Sequence, residues 1–163
     1  RIFKPMSDAL LHATAVSING YGVLLLGPSA AGKSDLALRL IDRGAMLISD
    51  DAVPVVIGAS GPELHSARNI EGRLEVRGIG IVSVPLVACA PLRLVIELAE
   101  SVERLPAEGR CTNICGFSVP TTKTLPFEAS APLKVEYALR MVIDAGTQPM
   151  ASHADLTQES RND

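Results

Sequence analysis

The sequence predicts a single α/β domain built on a mixed β-sheet. Three consecutive patterns lead to this expectation: an apolar run at 21–26 typical of a buried strand, a glycine-bracketed turn directly behind it, and leucine and isoleucine at helical spacing from about 33 to 43. Of the 163 residues, 47% are hydrophobic, which is enough for one domain with a proper core. A glycine turn between a strand and a helix is also the usual setting of a phosphate-binding loop.

The glycine turn carries a specific motif. Its residues follow the spacing Gly27-x-x-x-x-Gly32-Lys33-Ser34, which fits the loop that binds nucleoside di- or triphosphates. Backbone N–H groups of such a loop converge on one anion, Lys33 would contact the β- and γ-phosphates, and the Ser34 hydroxyl would coordinate Mg²⁺. A turn that only caps the helix is the alternative. The residues expected to bind the nucleotide are Gly27, Pro28, Ser29, Ala30, Ala31, Gly32, Lys33 and Ser34.

A β-hairpin is predicted immediately before the loop. Asn19-Gly20 separates two strand-like runs at about 11–18 and 21–26, and this dipeptide is a strong hairpin signal. His12 then lies on the strand that pairs with the strand of the phosphate loop. A histidine there could hydrogen-bond a carboxylate or share its proton, although many histidines in sheets are chemically inert.

Two adjacent carboxylates, Asp50 and Asp51, end the next apolar run at 45–49. If this strand runs parallel to 21–26, with the helix as a crossover, its carboxyl end lies at the same edge of the sheet as the glycine loop. One carboxylate could then reach the metal while the other accepts a proton from an incoming hydroxyl. A solvated turn is the alternative.

The stretch from Glu71 to Val82 combines charges with glycines, and strands are predicted near 73–76 and 79–84. Glu75 and Arg77 are expected to share one face of a strand. The carboxylate could complete a Mg²⁺ site and the guanidinium could bind a substrate phosphoryl group. A charged edge strand with a bulge explains the same residues without any function.

The remainder of the chain gives weaker patterns. Strands are predicted at 53–57 and 92–98 and a helix at 133–144, whereas 58–62 is expected to be a turn and 105–123 shows no clear element.

Three segments follow from these patterns. Residues 1–5 are expected to be leftover vector sequence, 6–146 to form the catalytic domain, and 147–163 to be a disordered tail.

Composition excludes several classes of function. The net charge of −3 and the scarcity of aromatic residues argue against nucleic-acid binding. No apolar run approaches the ~20 residues that a membrane helix needs, and no secretory signal is visible. Three cysteines without a matching set of histidines indicate reduced thiols rather than a zinc site, and a cytoplasmic location.

Taken together, these stretches resemble the catalytic domain of HPr kinase/phosphorylase. The resemblance covers about Leu10 to Val84 and includes the histidine strand, the hairpin, the glycine loop, the Asp-Asp doublet and the run Leu-Glu-Val-Arg-Gly-Ile-Gly-Ile. It implies a P-loop domain with a core like that of phosphoenolpyruvate carboxykinase. It also implies ATP- and Mg²⁺-dependent phosphorylation of a serine of the phosphocarrier HPr, and removal of that phosphate by inorganic phosphate. This reaction regulates carbon metabolism through the phosphotransferase system.

The resemblance also assigns roles to residues. Asp50 corresponds to the catalytic aspartate, a base in the kinase direction and an acid in the reverse direction. Asp51 corresponds to the neighbouring aspartate that orients the site with His12. Ser34 and Glu75 would hold Mg²⁺, while Lys33 and the loop backbone would hold the nucleotide phosphates.

This sequence departs from the family at two places. The site begins within a dozen residues of the start, as in the short alphaproteobacterial members, for which we expect a homo-oligomer and regulation through a separate sensor kinase. Where many members have a basic glycine loop, this chain has 126–132 without an arginine. A clamp on the substrate phosphate would then be missing or would come from elsewhere, with Lys123 and Lys134 as candidates, which leaves the phosphorylase activity open.

Two other functions fit the residues. A small-metabolite kinase would need a lid with several arginines, for which only Arg104 and Arg110 are loop candidates. A nucleotide-sensing regulatory module would require Lys33 but not Asp50.

Overall fold

The computed structural model of the protein describes residues 9–68 and 71–152. Expectations for residues 1–5 and for 153–163 fall outside this part of the chain. The described ranges form two helices and twelve strands: β1 Ala9–Leu11, β2 Thr14–Ile18, β3 Tyr21–Leu26, α1 Lys33–Asp42, β4 Met46–Ser49, β5 Val53–Gly58, β6 Gly61–His65, β7 Arg73–Val76, β8 Gly80–Ser83, β9 Cys89–Leu98, β10 Cys111–Ile114, β11 Phe117–Thr124, α2 Ala131–Asp144 and β12 Met150–Ala151.

The sheet is mixed, as predicted, and its order brings several strand ends together. Ten strands form one sheet in the described ranges, and β7 and β8 form a separate hairpin. Strands β3, β9 and β11 run parallel, whereas β2 lies between β3 and β4 and is antiparallel to both. The carboxyl ends of β3 and β4 and the start of β2 therefore meet at one edge of the sheet.

The predicted hairpin of β2 and β3 is confirmed. Ile18 pairs with Tyr21 across a two-residue turn. Asn19 and Gly20 have φ values of 52° and 86°, the positive angles that such a tight turn requires. The turn fixes the register of β3 and thereby the position of the glycine loop at its end.

The strands carry apolar side chains on both faces, so the sheet has two cores. On β3, Val23 and Leu25 pack toward the side that contains α1 and α2. Leu24 points to the other side and packs in a cluster with Val55 and Leu64. This alternation follows from the two-residue period of a strand. Burying each such side chain stabilises the fold by about 1.5–3 kcal/mol.

The two helices are joined at the surface by an ion pair between Arg43, at the end of α1, and Glu136 on α2. The hydrogen bond to Glu136, followed by the charge of its carboxylate, raises the pKa of Arg43. Neither helix in the described ranges has the length and hydropathy to cross a lipid bilayer.

Four expectations about secondary structure were wrong. The strand expected at 11–18 is interrupted by a bend at residues 12–13, and β6 occupies part of the segment predicted as a turn. Strands β10 and β11 form within 105–123, where no element was visible. Residues 147–152 are ordered rather than part of a disordered tail, because β12 pairs with β11. Pairing with other strands of the sheet, neighbouring for β10 and distant for β11 and β12, overrides weak local preferences here.

Candidate active site

The glycine loop connects β3 to α1 and adopts a conformation that its small residues permit. Gly32, with φ of 100°, caps α1, and its carbonyl accepts the Leu36 N–H at 2.9 Å. A Cβ at position 32 would lie 2.9 Å from the ring of Phe127, and a Cβ at Gly27 would lie 3.2 Å from the Cβ of Leu98. Gly32 is therefore favoured both by packing and by its backbone angle, whereas Gly27 is favoured by packing alone.

Lys33 is the first residue of α1, and its ammonium group turns back over the loop. The Nζ atom donates to the carbonyl of Gly27 at 2.6 Å and to that of Pro28 at 2.9 Å. Only 8% of the residue is exposed. These bonds satisfy a buried cation and hold it beside the backbone N–H groups of the loop.

Asp50 follows β4, and its carboxylate is held by two hydroxyl groups. Thr14, at the start of β2, donates to Oδ1 at 2.8 Å, and Ser34 on α1 donates to Oδ1 at 3.0 Å and lies 3.2 Å from Oδ2. Asp50 is 9% exposed and Thr14 is fully buried. The carboxylate is therefore directly bonded to the helix that carries the phosphate loop.

A tight backbone turn separates the two carboxylates of the doublet. Asp51 has φ of 68°, and the Ala52 N–H donates to the Asp50 carbonyl at 2.8 Å, which closes a γ-turn. Asp50 points inward, whereas the Asp51 side chain is 79% exposed. Positive φ at a residue other than glycine is uncommon and strained, and such strain concentrates at functional sites.

Asp51 contacts the histidine that the sequence placed in the site. His12 Nδ1 lies 3.2 Å from Asp51 Oδ1 and 3.1 Å from the Asp51 backbone oxygen. The expectation that His12 lies on the strand paired with β3 was wrong, because it occupies the bend between β1 and β2. The bend turns the histidine toward the carboxyl end of β4.

The β7–β8 hairpin lies against α1 and forms another wall of the site. Leu74 is fully buried in the core beside Leu36 and Leu40. Glu75 is on β7, but the expectation that Arg77 shares a strand face with it was wrong, because β7 ends at Val76 and Arg77 lies in the turn that leads to β8.

One cavity of about 640 Å³ is bordered by nearly all of these groups. The cationic side chains that line it within the described ranges belong to Lys33 and Arg77. The predicted site residues at its wall are His12, Ser29, Ala30, Gly32, Lys33, Ser34, Asp50, Asp51, Glu75 and Arg77. The predicted loop residues Gly27, Pro28 and Ala31 lie behind this surface and do not line it.

The donor set suits a hard cation. The Ser34 hydroxyl and the Glu75 carboxylate border the same cavity and present oxygen atoms, which Mg²⁺ prefers. No three His, Cys, Asp or Glu side chains of the described residues converge as a metal cage. Magnesium in nucleotide sites is commonly held by one or two protein oxygens together with the phosphates, so these residues fit that mode of binding.

The loop between β11 and α2 contributes Phe127 to the cavity and is held by Arg39 of α1. Arg39 donates to the carbonyls of Pro126 and of Glu128, the latter at 3.0 Å. Lys134 pairs with the Glu128 carboxylate at 2.6 Å and, like Lys123, does not line the cavity.

The two arginines considered as candidates for a lid, Arg104 and Arg110, lie outside the cavity wall. Arg110 bonds Glu97 at 3.1 Å. Sequence reasoning missed Thr14, Arg39 and Phe127. Thr14 lies two residues beyond the histidine already singled out, and Phe127 is one of only three phenylalanines, but neither carries a motif.

The fold and this site define an α/β domain of the P-loop class, with the glycine loop and a buried carboxylate at one end of the sheet. The family model described as HPr Serine kinase C-terminal domain matches residues 5–154. The chain therefore belongs to the HPr kinase C-terminal domain family, as the sequence motifs indicated.

Individual relatives agree with this assignment. HPr kinase/phosphorylase of Chlorobium phaeovibrioides is 34% identical over an alignment of 123 residues, and the match covers 67% of this chain and 37% of the relative. The protein of the same name from Burkholderia lata is 35% identical over an alignment of 133 residues, and the match covers 73% of this chain and 40% of the relative. The chain thus spans well under half the length of these relatives.

A solved structure, that of the Hpr(Ser) kinase/phosphatase from Coxiella burnetii, superposes with a TM-score of 0.70 at 30% identity. The match covers 82% of this chain and 95% of that one. The mixed sheet with its P-loop is therefore the fold of an HPr kinase catalytic domain.

Proposed function

We propose that this chain is an ATP- and Mg²⁺-dependent kinase that phosphorylates a serine of HPr and so regulates carbon metabolism. The observation that carries the proposal is the direct bond between Ser34 of the phosphate loop and the buried Asp50 carboxylate, inside one cavity. Membership of the HPr kinase family supports HPr as the acceptor. We also propose a cytoplasmic location, a homo-oligomer and a separate sensor kinase as a further partner.

The loop and Lys33 bind the nucleotide phosphates in this proposal. The backbone N–H groups of the loop and the N-terminus of α1 favour bound anions, and Lys33 needs only to release the Gly27 and Pro28 carbonyls to reach a β- or γ-phosphate. Ser34 and Glu75 would hold Mg²⁺. The bound ion neutralises charge on the transferring phosphoryl group.

Asp50 is the proposed general base. The serine oxygen of the acceptor attacks the γ-phosphorus, the bond between the γ-phosphorus and the bridging oxygen breaks, and ADP leaves. The hydroxyl proton passes to the Asp50 carboxylate, which Thr14 and Ser34 hold in a fixed orientation. Asp51 and His12 keep the strained turn in place, so that Asp50 stays directed into the cavity.

The same groups serve the proposed phosphorolytic reaction. A phosphate oxygen attacks the phosphorus of phosphoserine, pyrophosphate forms, and protonated Asp50 returns the proton to the serine oxygen. Arg77 is the cavity-lining arginine of the described residues and is therefore proposed to bind the substrate phosphate, in place of the absent arginine of 126–132.

Incubation of the protein with radiolabelled Mg-ATP, HPr and separately a panel of small acceptors tests this function. Label is expected on HPr, and an HPr variant with the acceptor serine replaced by alanine should remain unlabelled. Label on a small acceptor alone would indicate a metabolite kinase. Nucleotide binding without transfer to any acceptor would indicate a sensing module, and either result overturns the proposal.

A further inference from the structure

An exposed aromatic ring stands at the rim of the cavity. Phe127 is 70% exposed, yet its ring borders the same cavity as Lys33 and Ser34 and touches the position that a Cβ of Gly32 would occupy. Among the cavity-lining residues it carries the phenyl ring, and the imidazole of His12 is held by Asp51. Other apolar side chains of the described residues are equally exposed, but Phe127 combines its exposure with a place in the cavity wall beside Gly32 of the phosphate loop.

The backbone on both sides of Phe127 is held in place by Arg39. Arg39 donates to the backbone carbonyls of Pro126 and Glu128, the residues that flank Phe127. Arg39 is itself oriented by Asp35, one turn earlier on α1, at 2.8 Å. Because the guanidinium is planar and presents its donors in a rigid fork, it fixes the two peptide groups relative to each other. The backbone that carries Phe127 is therefore positioned before a ligand binds, and the ring lies beside Gly32.

The topology places this ring where a nucleotide base would extend. Strand β11 runs parallel to β9, and β9 runs parallel to β3, so the loop after β11 emerges at the same edge of the sheet as the phosphate loop. Ligands of open α/β sheets bind outside the carboxyl ends of their strands. The ring therefore lies at the edge of the sheet where a nucleotide bound to the phosphate loop would lie.

We infer that Phe127 is the stacking platform for the purine base of the bound nucleotide, and that Arg39 is the positioning residue that holds it. This inference rests on the proposed nucleotide binding and specifies how the base is recognised. Stacking uses the π-face of the base and not its hydrogen-bonding edge, so ATP and GTP are expected to bind with similar affinity. Removal of the ring is expected to weaken nucleotide binding about tenfold.

A ligand without a base separates stacking from phosphate binding. Dissociation constants for Mg-ATP and for magnesium tripolyphosphate are measured by calorimetry with the wild-type protein and with Phe127→Leu, which keeps an apolar contact to Gly32. The variant should lose about tenfold in affinity for ATP and keep its affinity for tripolyphosphate. Equal losses for both ligands, or no loss for either, would overturn the inference.

Tyr137→Ala is the matched control, because Tyr137 is also an exposed aromatic residue but lies on α2 outside the cavity. Its affinity for ATP should not change. Failure of the proposed function is distinguishable from failure of the stacking inference. A wild-type protein that binds neither Mg-ATP nor magnesium tripolyphosphate has no phosphate site. A wild-type protein that binds ATP but labels no acceptor contradicts the kinase and leaves the stacking result intact.

The absence of tryptophan from the sequence allows a direct optical test. Phe127→Trp introduces the single tryptophan of the protein at the platform, and the selectively excited tryptophan emission should change with ATP or GTP but not with tripolyphosphate. Arg39→Lys should reduce affinity for ATP alone and should add little when combined with Phe127→Leu, because both changes remove the same interaction. Additive losses, or an emission change with tripolyphosphate, would contradict the assignment.

Discussion

Replacing Asp50 with asparagine tests whether its carboxylate accepts the serine proton. Asparagine has the same shape, so one oxygen can still accept from Thr14 and the new NH₂ group can donate to the Ser34 hydroxyl. The substitution removes the charge and the basicity but keeps the packing. The free energy of unfolding should therefore change by only about 1 kcal/mol.

The expected effect on activity is large. Loss of a positioned general base lowers the rate by 10²- to 10⁴-fold, and we expect about 10³-fold for transfer from Mg-ATP to HPr. Nucleotide affinity should stay within about threefold of wild type. The loop amides and Lys33 are unchanged, and one negative charge fewer in the cavity reduces repulsion of the triphosphate.

The assay compares phosphoserine formation under single-turnover conditions with nucleotide affinity measured by calorimetry. Asp51→Asn is the matched control, because asparagine tolerates the positive φ of this residue and the side chain is largely exposed. We expect the control to retain at least about one tenth of the wild-type rate, since its role is indirect. An Asp50→Asn protein that transfers phosphate at near the wild-type rate would refute the role of base.

Three further substitutions test the supports of the site. Thr14→Val removes a buried hydroxyl donor from the Asp50 carboxylate and should lower the free energy of unfolding by about 1–3 kcal/mol in urea titration, whereas Thr14→Ser should not. Gly32→Ala should weaken ATP binding because its Cβ meets an aromatic ring, whereas Gly44→Ala, also at positive φ but with open space, should only reduce stability. Leu74→Ala should lower the free energy of unfolding by about 2–5 kcal/mol and speed amide hydrogen exchange in the β7–β8 hairpin. The control Ile81→Ala, at an exposed position, should change neither quantity. Unchanged exchange in Leu74→Ala would show that the hairpin does not depend on the burial of this side chain.

Local signals made the centre of the site predictable. Asn19 and Gly20 determine the turn of the hairpin by backbone angles that few other residues adopt. The spacing of the glycine motif predicts the conformation of the loop between strand and helix. An apolar run that stops at Asp50 indicates the end of a strand. The sequence therefore placed the loop and the doublet correctly relative to each other. This prediction also used the general preference for right-handed connections between parallel strands.

The parts that the sequence could not supply depend on pairing between distant residues. Strand β11 contains Pro120, which lacks an N–H, and is stabilised by its parallel contacts to β9. His12 leaves its strand because the chain bends between β1, which pairs with β5, and β2, which pairs with β3. Thr14 and Phe127 enter the site only through the order of the strands, which no local pattern reveals.

The central claim is that a nucleotide held by the glycine loop presents its γ-phosphate to Asp50. A crystal structure with Mg²⁺ and a non-hydrolysable ATP analogue measures this directly. We expect the phosphates on the loop amides and the metal ion between Ser34 and Glu75. On the Asp50 side we expect room for a hydroxyl about 3–3.5 Å from the γ-phosphorus. A γ-phosphate directed away from Asp50, or a nucleotide bound outside this cavity, would contradict it.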